Sequence, residues 1–136
     1  MSFYGKKYKK TRLENSEEFM ELLKVPEPTR QMLRNMDTIS TFQKNDDGSI
    51  QYIVFKAGAE AFNQKITPGV DADFKTPDGS NAKVHFELKG DTLESVITLS
   101  NGHKLHLDRI FEGNTMKQIA WKEGLDLKSI TYYEVV

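Results

Sequence analysis

The stretch Lys83-Val84-His85-Phe86-Glu87-Leu88-Lys89-Gly90-Asp91-Thr92-Leu93-Glu94-Ser95-Val96-Ile97-Thr98-Leu99-Ser100-Asn101-Gly102-His103-Lys104-Leu105-His106-Leu107-Asp108-Arg109-Ile110-Phe111-Glu112-Gly113 decides the fold. Lys83, His85, Glu87 and Lys89 interleave with Val84, Phe86 and Leu88, and Lys104, His106 and Asp108 interleave with Leu105, Leu107, Arg109 and Phe111. A period of two marks a strand with one face toward an interior and the other toward water. Gly90, Asn101-Gly102 and Gly113 separate the runs, and glycine supplies the backbone conformation that a tight hairpin turn needs. The beat continues outward through Gly48, Gly58, Gly69, Gly79 and Gly124, with successive gaps of 10 to 12 residues. Turns at that spacing predict consecutive antiparallel strands, and a long meander of them closes into a barrel or sandwich.

Strands are predicted over 3–11, 38–44, 49–56, 61–66, 70–75, 82–89, 92–100, 104–111, 114–122 and 126–135. Residues 14–36 carry a helical period instead. Asn15 and Glu18 resemble a capping box, and Phe19, Leu22 and Leu23 share a helical face. Val25-Pro26 stops that helix. Pro28 opens a second, whose apolar face is Met32, Leu33 and Met36. The prediction is an all-β fold in one domain spanning 1–136: a ten-stranded antiparallel up-and-down β-barrel capped by a helix-turn-helix.

The 136 residues suffice for one real core. A formal net charge of −1 argues against a nucleic-acid partner. The absence of cysteine excludes disulfides and thiolate metal sites. No apolar run reaches signal-peptide or membrane-span length, so a cytoplasmic location is expected. His85 and His106 should face water. His103-x-x-His106 places its rings on opposite faces of a strand, so no metal is expected, and no cofactor. Nor is there a phosphate loop or a nucleophile constellation, so an enzyme is not expected.

Arg109 breaks the pattern, because it is in phase with Leu105, Leu107 and Phe111 and should point inward. Three readings follow from pattern: a structural ion pair, an arginine reaching to the barrel rim, or a guanidinium waiting for an anionic ligand. The basic run Lys6, Lys7, Lys9, Lys10 and Arg12 has two readings of its own. It is a solvated strand face, or a patch for transient contact with anionic membranes.

The chain resembles the intracellular lipid-binding proteins, the group of fatty-acid-binding and cellular retinoid-binding proteins. The resemblance rests on Phe3-x-Gly5, on Lys6-Lys7-Tyr8-Lys9 with tyrosine where the family has tryptophan, and on Asn15, Phe19-Met20-x-x-Leu23-x-Val25 and Thr29-Arg30-Gln31. Val54-Phe55-Lys56, Thr76-Pro77-Asp78-Gly79 and Arg109-x-x-x-Gly113 extend it over nearly the whole chain. It implies a barrel of two near-orthogonal sheets and a monomer that holds one fatty acid or other hydrophobic small molecule. In fatty-acid binders an eighth-strand arginine and a tenth-strand Arg-x-Tyr pair hold the carboxylate. Arg109 matches the first. Counted from Gly124, the pair falls on Ile130-x-Tyr132, with the arginine lost; a hairpin longer by one gives Thr131-x-Tyr133. Turn counting favours Tyr132, whereas the phase of Leu125 and Leu127 favours Tyr133; Tyr132 is the preferred register. In that register Lys128 is also inward, as a substitute cation or a plain surface lysine. Phe55 and the Ala57-Gly58 turn match the family's portal, and Met20, Leu23 and Met36 are lid residues facing the cavity or anchoring the cap. The implied function is non-covalent lipid carriage, with Arg109 and Tyr132 at the head group. The alternatives are a neutral or bulkier lipid (retinoid, sterol-like or acyl ester) and lipid delivery at a membrane surface.

Overall fold

A computed structural model describes residues 3–75, 79–100 and 102–136. Thr76-Pro77-Asp78 and Asn101 lie outside the described residues, as do the side chains of Thr29 and Met32. The order is β1 (Lys7–Glu14), α1 (Ser16–Leu22), α2 (Glu27–Arg34), β2 (Thr38–Lys44), β3 (Ile50–Lys56), β4 (Ala59–Ile66), β5 (Asp71–Lys75), β6 (Asn81–Lys89), β7 (Thr92–Leu99), β8 (Lys104–Glu112), β9 (Thr115–Trp121) and β10 (Ser129–Val135). Hydrogen bonding joins all ten strands in one antiparallel ladder, β4-β3-β2-β1-β10-β9-β8-β7-β6-β5. The β1–β10 pairing brings the two ends of the chain together, and the sheet forms a nearly closed barrel. β4 and β5 are the two edges of the ladder. Their seam is bridged by side chains, with the Phe62 and Phe74 rings 5.7 Å apart.

The turns explain the regularity. Every glycine of the beat has a positive φ, and the two-residue β3–β4 hairpin turns on Ala57 (φ 52°) and Gly58 (φ 81°). Two successive left-handed residues match the right-handed twist of the strands they join.

Cross-strand pairing assigns the faces, since directly opposed residues point the same way. Tyr8 faces Ser40 and Val135, Phe42 faces Tyr52, and Val84 faces Ile97. The enclosed core includes Phe3, Tyr8, Phe42, Ile50, Ile66, Val84, Phe86, Leu93, Phe111, Met116 and Tyr133. Phe3 stacks on Phe111 at 4.0 Å and meets Phe42 edge-on at 5.9 Å. This aromatic plug fills the end of the barrel where β1 begins; the helices follow β1 and cap its other end.

Three local expectations change. Asn15 is left-handed (φ 58°) and makes no side-chain cap bond, so the Asn15–Glu18 capping box does not form. The buried face of α1 is Ser16, Phe19 and Met20, while Leu22 is 57% exposed; one residue of helical rotation separates the observed face from the expected one. Lys10 is not on a solvated face. It is in phase with Tyr8, opposes Tyr133 and is 6% exposed. A bulge between Lys10 and Arg12 then shifts the phase, so that Arg12 points outward.

Candidate functional site

Inner-facing positions divide into two walls. Phe42, Tyr52, Phe62, Phe74 and Phe86 form a continuous run of rings across β2–β6, with neighbouring centroids 4.8–6.1 Å apart. The wall from β7 through β10 and β1 to β2 is mixed: beside Leu93, Phe111, Met116, Tyr133 and Tyr8 it buries the polar side chains of Ser95, Arg109, Gln118, Ser129, Thr131, Lys10, Thr38 and Ser40. Buried polar groups are costly unless bonded, so the partners of this polar set decide what the wall can do.

Arg109 stands at its centre. The pairings align Leu93, Arg109, Gln118, Thr131 and Leu13 as one rung across β7, β8, β9, β10 and β1. Arg109 is 5% exposed. Its Nε donates to Gln118 Oε1 at 3.1 Å and its Nη2 to the Tyr52 hydroxyl at 3.5 Å. The guanidinium carbon lies 4.9 Å from the Tyr52 ring centroid, a cation–π distance. Nη1 is fully buried and has no hydrogen-bond partner among the described residues. A guanidinium held on one edge by an amide and over an aromatic face, with its remaining N–H group open, is ready for an acceptor.

Tyr133 belongs to the same cluster. Burial is the main force holding its phenol protonated far above the usual range; nearby Tyr52 adds to this and Arg109 opposes it. The phenol therefore remains a neutral donor at any working pH.

The register of β10 corrects the placement of three expected site residues. Ser129, Thr131 and Tyr133 alternate inward, and Ile130 and Tyr132 point to the outer side. β10 starts only at Ser129, so the connection from β9 is longer than counting from Gly124 allows. Tyr132 packs outside against Arg12, whose guanidinium carbon lies 4.0 Å from the ring centroid. A recess of about 350 Å3 lies beside it, lined by Thr11, Arg12 and Lys117 among others. Lys128 is also outside, with Nζ 5.8 Å from the Trp121 ring, which stacks on His106 at 3.9 Å. Thr131 and Tyr133, the pair given by the longer hairpin, are therefore the ones on the buried face.

At the cap, Met20 is 2% exposed, Leu23 is half-buried and Met36 is 37% exposed. Phe55 alternates in phase with the outward Gln51 and pairs with Ile39, so it does not point into the lumen. Two arginines join the helices to each other. Arg30 donates to the carbonyls of Val25 and Met20 and to Glu21, and Arg34 grips Glu17 through Nε and Nη2 and reaches Glu27 through Nη1. The site residue missed from sequence is Lys10, whose Nζ donates to the Leu33 carbonyl of α2 at 2.9 Å. Burial lowers its pKa to about 8. The signal was present, since Lys10 lies two residues from Tyr8, which occupies the family's tryptophan position.

Among the described residues no group of three or more His, Asp or Glu side chains is arranged to hold a metal ion. No helix among them is long and apolar enough to cross a membrane.

No family model matches the chain. A liver-type fatty acid-binding protein of Takifugu rubripes is 30% identical over 94 residues, covering 69% of this chain and 73% of the fish protein. The chain belongs to the fatty-acid-binding protein family. Solved members share the whole architecture. The fatty-acid-binding protein from Manduca sexta superposes with a TM-score of 0.84 at 19% identity, over 98% of this chain and 99% of the insect one. A Schistosoma mansoni fatty acid binding protein in complex with arachidonic acid gives 0.83 at 24% identity, over 98% and 96% of the two chains. These two likenesses carry the fold.

Proposed function

We propose that the protein binds one long-chain fatty acid, or a closely similar lipid acid, non-covalently inside the barrel and carries it through the cytoplasm. Membership of the fatty-acid-binding protein family supports binding and transport of a hydrophobic ligand. The observation that carries the head-group assignment is the buried, unpartnered Nη1 of Arg109. A carboxylate there completes the arginine's bonding, with the neutral Tyr133 phenol as a second donor. The ring run from Phe42 to Phe86 takes the acyl chain, where each methylene removed from water contributes about 0.8 kcal/mol. Gln118 and Tyr52 hold the guanidinium in place, and Met20 and Leu23 close the capped end.

Thr131 favours a second reading. With Thr131 rather than an arginine beside Tyr133, and the Lys10 ammonium engaged on the Leu33 carbonyl, Arg109 is the cation left for a head group, so the preference for an acid over an alcohol or ester is modest and a neutral lipid is the alternative cargo. A single charge-assisted bond is worth about 1.5–3 kcal/mol.

The test is to extract the cold-purified protein, identify the bound lipid by mass spectrometry, and titrate wild type and Arg109→Ala with a fluorescent fatty acid. The substitution should weaken binding at least several-fold. Unchanged affinity removes Arg109 from the head group, and a neutral lipid as the only extracted species selects the second reading.

A further inference from the structure

We propose that Lys10 latches the helical cap to the barrel, and that an entering lipid carboxylate opens the latch by drawing the ammonium off the Leu33 carbonyl. The proposal rests on the carrier reading above and adds a residue that reading does not use.

Leu33 lies in the last turn of α2, where carbonyls have no partner within the helix. The amide that would continue the ladder belongs to Asp37, and it donates instead to the Asn35 side chain at 2.8 Å. Lys10 fills the vacancy from below, placing a positive charge at the negative end of the helix dipole. On the outer side Lys9 reaches Asp37 at 3.7 Å, but both partners are exposed and such a pair contributes little. The inner contact is therefore the stronger of the two ties between β1 and the α2–β2 connection. Arg30 and Arg34 tie the two helices to each other, and α1 is seated on the barrel by its buried Phe19 and Met20, so release at Leu33 loosens α2 and the connection to β2 while α1 stays in place.

The ammonium itself is poorly matched to this partner. Lysine has three donors, and Lys10 has one bond and no carboxylate partner among the described residues. It is a buried cation held by a neutral acceptor in a low-dielectric lumen, where a carboxylate is the stronger acceptor. A lipid acid passing beneath the cap meets this charge, exchanges with the carbonyl, and loosens α2 as it does so. It then moves on to Arg109, and Lys10 returns to Leu33. The selectivity expressed is kinetic: acids enter faster than alcohols of the same chain.

Delipidated wild type, Lys10→Met, Lys10→Gln and Lys10→Arg are mixed with oleate and with oleyl alcohol in a stopped-flow instrument. In wild type oleate associates faster than the alcohol. That ratio should fall several-fold in both neutral variants and persist in Lys10→Arg. Hydrogen exchange at residues 31–37 of the ligand-free neutral variants should quicken several-fold. An unchanged ratio, or equal loss of both rates, overturns the latch, as does unchanged exchange in whichever neutral variant folds. Wild type that binds neither probe at equilibrium overturns the carrier reading as well; binding with a Lys10-independent ratio overturns the latch alone.

Discussion

Replacing Lys10 by methionine should make the protein more stable at neutral pH, and the gain should vanish in alkali. Methionine keeps the length of the aliphatic stem and removes the charge. The ammonium's pKa falls from its ordinary 10.5 to about 8 through burial. At about 1.4 kcal/mol per pH unit, that gap corresponds to roughly 3 kcal/mol of penalty on the charged form. Losing the bond to the Leu33 carbonyl returns about 1 kcal/mol, so the net gain is about 2 kcal/mol at pH 7. The sign with pH follows from proton counts. Below about pH 8 the lysine is charged both folded and unfolded, and the wild type bears the whole penalty. Between about 8 and 10.5 the folded lysine is neutral while the unfolded one is still charged, so wild-type stability rises relative to the variant. Urea unfolding at pH 7 and at pH 10.5 reads both. With a urea slope of ~1–3 kcal/mol/M, the pH 7 midpoint should rise by roughly 1 M, and the two midpoints should converge at pH 10.5. A less stable variant at pH 7, or an advantage that ignores pH, refutes the reasoning, because either result means that packing and not charge governs the position.

Tyr133→Phe should weaken fatty-acid binding several-fold while Tyr132→Phe leaves it unaltered; a fluorescence titration with equal effects at both positions would contradict the β10 register. His85 should titrate above ordinary histidine, because Glu87 first and Asp71 second accept from its ring, each at 2.7 Å. NMR titration of Glu87→Gln should bring its pKa down, and the stabilisation from these contacts is lost as pH rises through the folded value. Ala57→Gly relieves a left-handed alanine in the β3–β4 turn; thermal unfolding should show a gain of up to about 1 kcal/mol, and a loss would mean the turn does not carry that strain.

Most of the fold was legible because it is written in two strong periods. Alternation in β6 and β8 gave both faces of those strands, and the glycine beat fixed nearly every hairpin. Arg109 was legible for the same reason: a cation in the apolar phase has few places to go. Two kinds of information were not local. The β10 register depends on a long connection, and counting from Gly124 assumed a short one; the hydrophobic phase of Leu125 and Leu127 was the better guide. The inward turn of Lys10 was hidden in a run of lysines, since charge suggests solvent wherever no neighbour contradicts it. Tyr8 was that neighbour. The face of α1 slipped because a seven-residue helix offers too few apolar positions to distinguish Leu22 from Met20.

The seam between β4 and β5 gives the barrel a property that a fully laddered cylinder lacks. A closed ladder has its circumference set by backbone hydrogen bonds, and widening it means breaking them. Here the last join is ring against ring, Phe62 on Phe74, and a ring contact can be exchanged for contact with an alkyl chain at small cost. The girth of the barrel at this seam is therefore set by side-chain packing and not by backbone hydrogen bonds.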